Sequence, residues 1–262
     1  MLPLVARLSF RTLFPQGEKL LLAAFAIPVV GGICSSTNGL AQNALPALST
    51  TLTAAQIVDR MQIENRARAE SLGHYQSVRH YSVDYKGFGT TIAADMTVEA
   101  DYDAVSGKSF RIVSQSGSKM LIDKVLKRAL DSETDAAKDQ KSTALTQANY
   151  RFKLEGVETL AGRPAYVLYV EPVVATKYLY RGKIWVDAAD FAVEKIEAAP
   201  AKNPSFWITG TKIHQIYVKT GEFWLPDQNR SESKIRVGGN AVLTIDYGKY
   251  QVNLKSADRG GF

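Results

Sequence analysis

Asp187 and Asp190 stand three residues apart in the stretch RGKIWVDAADFAVEKIE, a spacing at which two carboxylates could divide acid and base work. Such a division needs a cleft and two environments that drive the pKa values apart. Here the pair falls between two alternating runs, and Asp187-Ala188-Ala189-Asp190 has the length of a hairpin loop. Aspartate favours turn ends because its carboxylate accepts bonds from the nearby backbone. Both acids therefore read as turn corners, solvated alike. Alanine at either is expected to cost at most about 1 kcal/mol.

Other chemistry-bearing residues are sparse. His74, His80 and His214 are the only histidines, and no two stand at a metal-ligand spacing. Ser82 shares a strand face with His80, about 7 Å along it by strand rise, as two polar residues on a wet face would. Asp101-Tyr102-Asp103 begins like a calcium loop but lacks the glycine and terminal glutamate that such a loop needs. There is no G-x-S-x-G, no phosphate-cradling glycine loop, no C-x-x-C and no dinucleotide fingerprint. No catalytic residue, no metal and no cofactor is expected. The protein reads as a non-enzyme.

The elements that would position a site begin after a leader. Arg7, Arg11 and Lys19 precede or enter an apolar run, LLLAAFAIPVVGGICSS, too short for a membrane span, and Gly39-Leu40-Ala41 offers a cleavage site. Residues 1–41 are read as a signal peptide and 42–52 as a linker, leaving one domain over 53–262 in a mature chain expected to begin at Gln42. Cys34, the only cysteine, lies within the leader, and Ile33 before it is a poor match to a lipid-attachment site. The mature chain is expected in the periplasm, as a monomer without disulfides. Its charge falls from +6 to +4, because the leader carries three basic residues and one acid. Lys and Arg are scattered rather than clustered, which excludes nucleic acid as a partner.

Thr53 and Gln56 make a capping box that predicts a helix to about Ser71. From Tyr75 the period becomes two: Tyr81, Val83 and Tyr85 alternate with polar residues, then Ile92 through Tyr102 do so over a long strand. A short strand carries Phe110 and Ile112. Residues 118–147 interrupt with a helix, bent or divided, whose stripe is Leu121, Ile122, Val125, Leu126 and Ala129. Strands then resume, with Phe152 and Leu154 on one face and AYVLYVEPV, apolar on both faces, expected at the sheet's centre. About ten antiparallel strands and two or three helices make an α+β fold. So few helices cannot cover a whole concave face, which leaves a groove for an apolar guest. Tyr166, Tyr169, Tyr178, Tyr180, Trp185, Trp207, Tyr217, Phe223 and Trp224 crowd the C-terminal half.

Leader, helix, three strands, helical insertion and strand meander, with GKIWVD leading into VEKIE, NPSFW at 203–207 and FWLP at 223–226, resemble a known group. The pattern is similar to the LolA/LolB superfamily of periplasmic lipoprotein carriers, most of all its outer-membrane lipoprotein-sorting group, over roughly residues 53–253. The resemblance implies an unclosed, strongly curved antiparallel β-barrel with helices over the concave face, an apolar cavity for acyl chains, and no catalysis. It implies lipoprotein acyl chains or another apolar ligand as partner, with transient contact to membrane-bound partners. The candidate lining is Met96, Val98, Phe152 and Leu154 on the strands, faced by Leu121, Ile122, Val125 and Leu126 on the helix. Those carriers latch their helical lid with an Arg-Pro step before the third strand. Here that stretch reads Asp103-Ala104-Val105-Ser106-Gly107, and Arg111 on the next strand does not match it. A sensor or structural module that recognises protein partners through the same fold is the alternative, and a periplasmic hydrolase a weaker one.

Overall fold

The structure, a computed structural model, describes residues 52–138, 140–236 and 238–255, with the backbone alone for 135–138 and 140. The expected leader with Cys34 and the linker up to residue 51 lie outside the described residues. The first helix, α1 (Ala54–Ser71), starts where the sequence predicts. Thr53 is extended, its hydroxyl accepts from the Gln56 amide at 3.3 Å, and the Gln56 side chain accepts from the Thr53 amide at 2.9 Å. Two otherwise orphaned donors are thereby satisfied.

Strands β1 (Leu72–Gly87), β2 (Thr90–Asp103) and β3 (Gly107–Gly117) form a meander. After the helical segment come β4 (Tyr150–Leu160), β5 (Arg163–Pro172), β6 (Tyr180–Asp187) and β7 (Val193–Pro200). They are followed by β8 (Ile208–Thr220), β9 (Phe223–Ile235), β10 (Asn240–Tyr247) and β11 (Gln251–Leu254). All pair antiparallel in one sheet of 11 strands, in the order β3-β2-β1-β10-β9-β8-β7-β6-β5-β4, and β11 pairs with β1. The sheet does not close: β3 and β4 are its edges. The third strand is longer than its sequence suggests, and AYVLYVEPV lies next to an edge rather than at the centre. That strand is apolar on both sides because its outer face carries a small cluster of its own, Ala165 and Val167 with Trp185 and Leu160.

Gly117 lets the chain leave β3. Its φ is 86°, and a Cβ there would press on the β2 backbone, 2.8 Å from the Ala94 Cα. The helix that follows is one continuous run with a change of pitch. It comprises α2 (Lys119–Leu121), a π turn (Ile122–Leu126) and α3 (Lys127–Lys138), and a short α4 (Gln140–Thr143) comes after. Through the π turn Leu121, Ile122, Val125, Leu126 and Ala129 all stay buried, in one cluster with Tyr81, Val83, Met96, Val98, Leu243 and Ile245.

A second cluster joins Ile57, Val58 and Met61 of α1 to Tyr150, Leu168, Val170, Ile184 and Val186. Between the two, the inner face of β8 and β9 is polar and buried. Thr211 bonds Ser233 at 2.9 Å, Asn229 donates to Gln215 at 2.6 Å and Ser231 to Asn229 at 3.3 Å. Hydrogen bonding along the stripe removes the desolvation cost of these groups. The helical insertion thus covers one half of the concave face and α1 the other.

Val125 is 2 % exposed in the first cluster. Val125→Asp places a charge in an apolar seam and is expected to lower the unfolding free energy by roughly 3 kcal/mol or more, read as a shift of the urea midpoint at unchanged slope.

Candidate functional site

Between the two covers a cavity of about 300 Å³ opens on the concave side. Its apolar wall includes Leu72, Tyr75, Phe223 and Leu225, a third cluster closed at one end by Tyr102, Tyr250 and Val252. Tyr75 stacks on Tyr102 with ring centres 5.2 Å apart, and Tyr250 meets it edge-on at 5.6 Å. Val193 and Tyr217 complete this side, while Gln62, Asn65, Arg66 and Arg68 of α1 form a polar rim. Of the aromatic residues noted in the C-terminal half, Tyr217, Phe223 and Trp224 reach the cavity. Trp185 lies on the outer cluster, donating to Glu158 at 2.8 Å.

The eight lining candidates separate into two groups. Leu121, Ile122, Val125 and Leu126 do face Met96 and Val98, in a seam the protein fills itself. Phe152 and Leu154 pack instead at the margin of the α1 cluster, on the other half of the sheet. None of the eight is among the residues that line the cavity.

The cavity's floor holds a buried ionic group that the sequence reading missed. Arg79 of β1 donates through Nη1 to both oxygens of Glu133 on α3, at 2.7 and 2.8 Å. Lys108 of β3 adds a bond to the same carboxylate at 3.0 Å, and the Tyr81 hydroxyl donates to it at 3.4 Å. Arg79 is 1 % exposed and Glu133 3 %. The guanidinium also lies over the rings of Tyr247 and Phe110, at 4.8 and 5.3 Å. Burial alone would push the Glu133 carboxyl up, but Lys108 and Arg79 outweigh it and hold it down at about 2. Arg79 thus ties the helical segment to β1, two strands from Arg111 on β3. The signal was present in the sequence: Arg79 is in phase with Tyr81, Val83 and Tyr85, so alternation put a cation on the buried face.

The aspartate pair is a turn, as expected, but the two acids are not solvated alike. Asp187 is fully buried. Its Oδ1 caps the Ala189 and Asp190 amides at 3.0 and 2.7 Å, and Arg163 grips both its oxygens at 2.6 and 2.9 Å. Asp190 accepts from Arg163, Lys219 and the Trp224 indole at 3.1, 2.6 and 3.0 Å. Burial works against both charges, and these donors hold both carboxyls below the usual range. Neither acid is kept protonated for acid chemistry at neutral pH. The turn instead ties the β4–β5 corner to β8–β9, and Arg68 of α1 donates to its Asp190 carbonyl at 2.9 Å.

His74 and His80 each contact one aspartate, at 3.0 and 3.1 Å. Among the described residues no three His, Cys, Asp or Glu side chains could hold a metal ion together, and no helix is long and apolar enough to cross a membrane.

No protein-family model matches the chain, and no curated protein sequence matches it. Among solved structures, it is similar to a DUF1329 family protein from Desulfovibrio piger at 13 % identity and a TM-score of 0.42, covering 79 % of this chain and 96 % of that one. It is also similar to a protein described as an outer membrane lipoprotein-sorting protein domain, from Vibrio parahaemolyticus. There the identity is 12 %, the coverage 77 % and 94 %, and the TM-score 0.40. A LolA superfamily protein from Nitrosomonas europaea follows at 11 % identity, 78 % and 94 % coverage, and a TM-score of 0.34. At 11–13 % identity these likenesses concern the fold alone.

Two outcomes follow from the ionic groups. Glu133→Gln leaves the buried Arg79 charge and the partly buried Lys108 charge without their carboxylate and should destabilise by about 3 kcal/mol. Because the folded carboxyl lies below its ordinary value of 4.5, its contribution is full above about pH 4.5 and is lost as pH falls toward 2. Urea titrations across that window should show the wild type losing stability more steeply than Glu133→Gln. Asp187→Ala should cost about 2 kcal/mol or more rather than the turn-corner value, since four bonds to a buried carboxylate are lost. The check is its urea midpoint beside that of Asp190→Ala.

Proposed function

We propose that this protein is a non-catalytic periplasmic binding or carrier protein that takes an acyl chain or another apolar ligand into the concave cavity, with lipoprotein acyl chains the first class to test. The observation that carries this reading is the cavity of about 300 Å³, walled by Leu72, Tyr75, Val193, Tyr217, Phe223 and Leu225. That size is at the low end of ligand pockets, which run to about 1,000 Å³. At about 30 Å³ per water-sized group it has room for on the order of ten, which suits one chain rather than several.

Burial gains about 0.8 kcal/mol per methylene, so ten would gain on the order of 8 kcal/mol before the costs of ordering. The net is a reversible complex, as a carrier that hands cargo to a membrane-bound acceptor requires. A bulkier cargo would extend into the neighbouring seam, where Leu121, Ile122, Val125 and Leu126 would part from Met96 and Val98, or toward the α1 cluster with Phe152 and Leu154 at its margin.

A protein-partner reading has its own support in the sheet edges. Ile112 and Val113 on β3 are 40 % and 49 % exposed and Val157 on β4 is 55 % exposed, beside unpaired backbone that an extended segment could join.

The test is titration of the protein with a fluorescent fatty-acyl probe. Saturable one-to-one binding is expected, weakened about tenfold by Ala144→Phe, because Ala144 lines the cavity and is buried. The strand circular-dichroism signal should stay as in the wild type. Absence of binding, or wild-type affinity in a folded Ala144→Phe protein, would overturn the cavity reading. The edge reading is separable: Val113→Lys should leave probe affinity as it is and abolish capture of a partner peptide.

A further inference from the structure

The cavity is apolar in its wall but not in its charge. Four cationic side chains line it, Arg66, Arg68, Arg79 and Lys108, against the single carboxylate of Glu133. Arg79 and Lys108 are both committed to that carboxylate. The α1 pair is not. Arg68 donates to neutral acceptors, the Asn65 side chain at 2.7 Å and the Asp190 and Phe191 carbonyls at 2.9 and 3.4 Å. Arg66 Nε is buried and has no hydrogen-bond partner among the described residues. On the floor, Arg79 Nε is likewise buried and unpartnered, on a side chain 1 % exposed.

A buried donor with no acceptor is unfavourable even where the rest of its side chain is partly exposed. Burial pulls the Arg68 pKa down, against the opposing charges of Glu64, Asp190 and Asp187. An anion entering the cavity would remove this penalty, and the planar fork of arginine suits a carboxylate or phosphate oxygen pair. A purely hydrocarbon guest would leave these donors unmatched.

We propose that the cavity selects amphiphiles with an anionic head, a carboxylate or phosphate on a single chain, with Arg66 binding the head and Arg68 adding charge beside it. The chain then lies along the side of Leu72, Tyr75, Phe223 and Leu225. This inference rests on the cavity-binding reading above and narrows it to a ligand class.

Calorimetric titration below the micellar concentration tests it with four probes: dodecanoate, dodecyl phosphate, dodecanol and inorganic phosphate. The wild type should bind the two anionic chains about tenfold more tightly than dodecanol. In Arg66→Gln that advantage should vanish, so that dodecanoate and dodecanol bind alike, while Arg66→Lys should keep most of it. Arg68→Gln, run in parallel, should lower the advantage in part. Equal affinity of the wild type for dodecanoate and dodecanol would overturn the proposal and leave chain binding standing. So would an unchanged preference in folded Arg66→Gln. Inorganic phosphate binding as tightly as dodecyl phosphate would mark a free-anion site and overturn the amphiphile. If no chain binds at all, both this inference and the cavity reading fall.

Discussion

The buried contact between Arg79 and Glu133 fixes how the helical insertion sits on the sheet. Arg79 belongs to β1, Glu133 to α3 and Lys108 to β3, so one carboxylate binds three elements. Buried ion pairs give little net stability, because desolvation cancels most of the attraction. Their effect is on position: a shifted helix would strand a charge in the interior. Apolar packing alone tolerates sliding, since one aliphatic contact exchanges for another at small cost. With Glu133 fixed, Leu121 through Leu126 are drawn over β1 and β2, and the π turn is where the run adjusts its pitch to reach both.

The second constraint is the sheet. Eleven antiparallel strands with free edges curve enough to make a trough, and among the described residues one helical run and one 18-residue helix cover it. Each builds its own apolar cluster, and the buried hydroxyls and amides of β8 and β9 separate them. The cavity is what this division leaves at the end of the trough. Its polar rim comes from the second half of α1, where ENRARAE supplies arginines rather than aliphatic anchors.

Features that depend on local spacing were legible in the sequence. Thr53 and Gln56 set the start of α1, and alternation placed Tyr81, Val83, Met96 and Val98 on the covered face opposite the helical stripe. What depended on distant partners was not. Asp187 looked like a solvated corner because nothing near it in sequence reveals Arg163, which reaches it from another strand. Phe152 and Leu154 share their period with Met96 and Val98, yet period two gives a face and not a position along a long curved sheet. The polar stripe escaped for the same reason: Ser231 and Ser233 alternate with Glu232 and Lys234, so neither face looks apolar. Arg79 was the exception, a long-range feature with a local sign.

Magnitudes decide how far the trough can open. Fully burying a side chain the size of Leu, Ile or Val stabilises by about 1.5–3 kcal/mol. Lifting Leu121, Ile122, Val125 and Leu126 from Met96 and Val98 would therefore cost on the order of 6–12 kcal/mol, before any cost of parting Arg79 from Glu133. At about 0.8 kcal/mol per methylene, a single chain of ten to fifteen carbons laid in the same seam returns on the order of 8–12 kcal/mol. The helix and a chain are then near-equal occupants of one surface. On the proposed carrier reading, cargo would exchange for the stripe only where its own burial offsets both that cost and the cost of ordering the chain. Under the same proposal Glu133 would bound that exchange, because its displacement would leave Arg79 buried and Lys108 partly buried without their carboxylate.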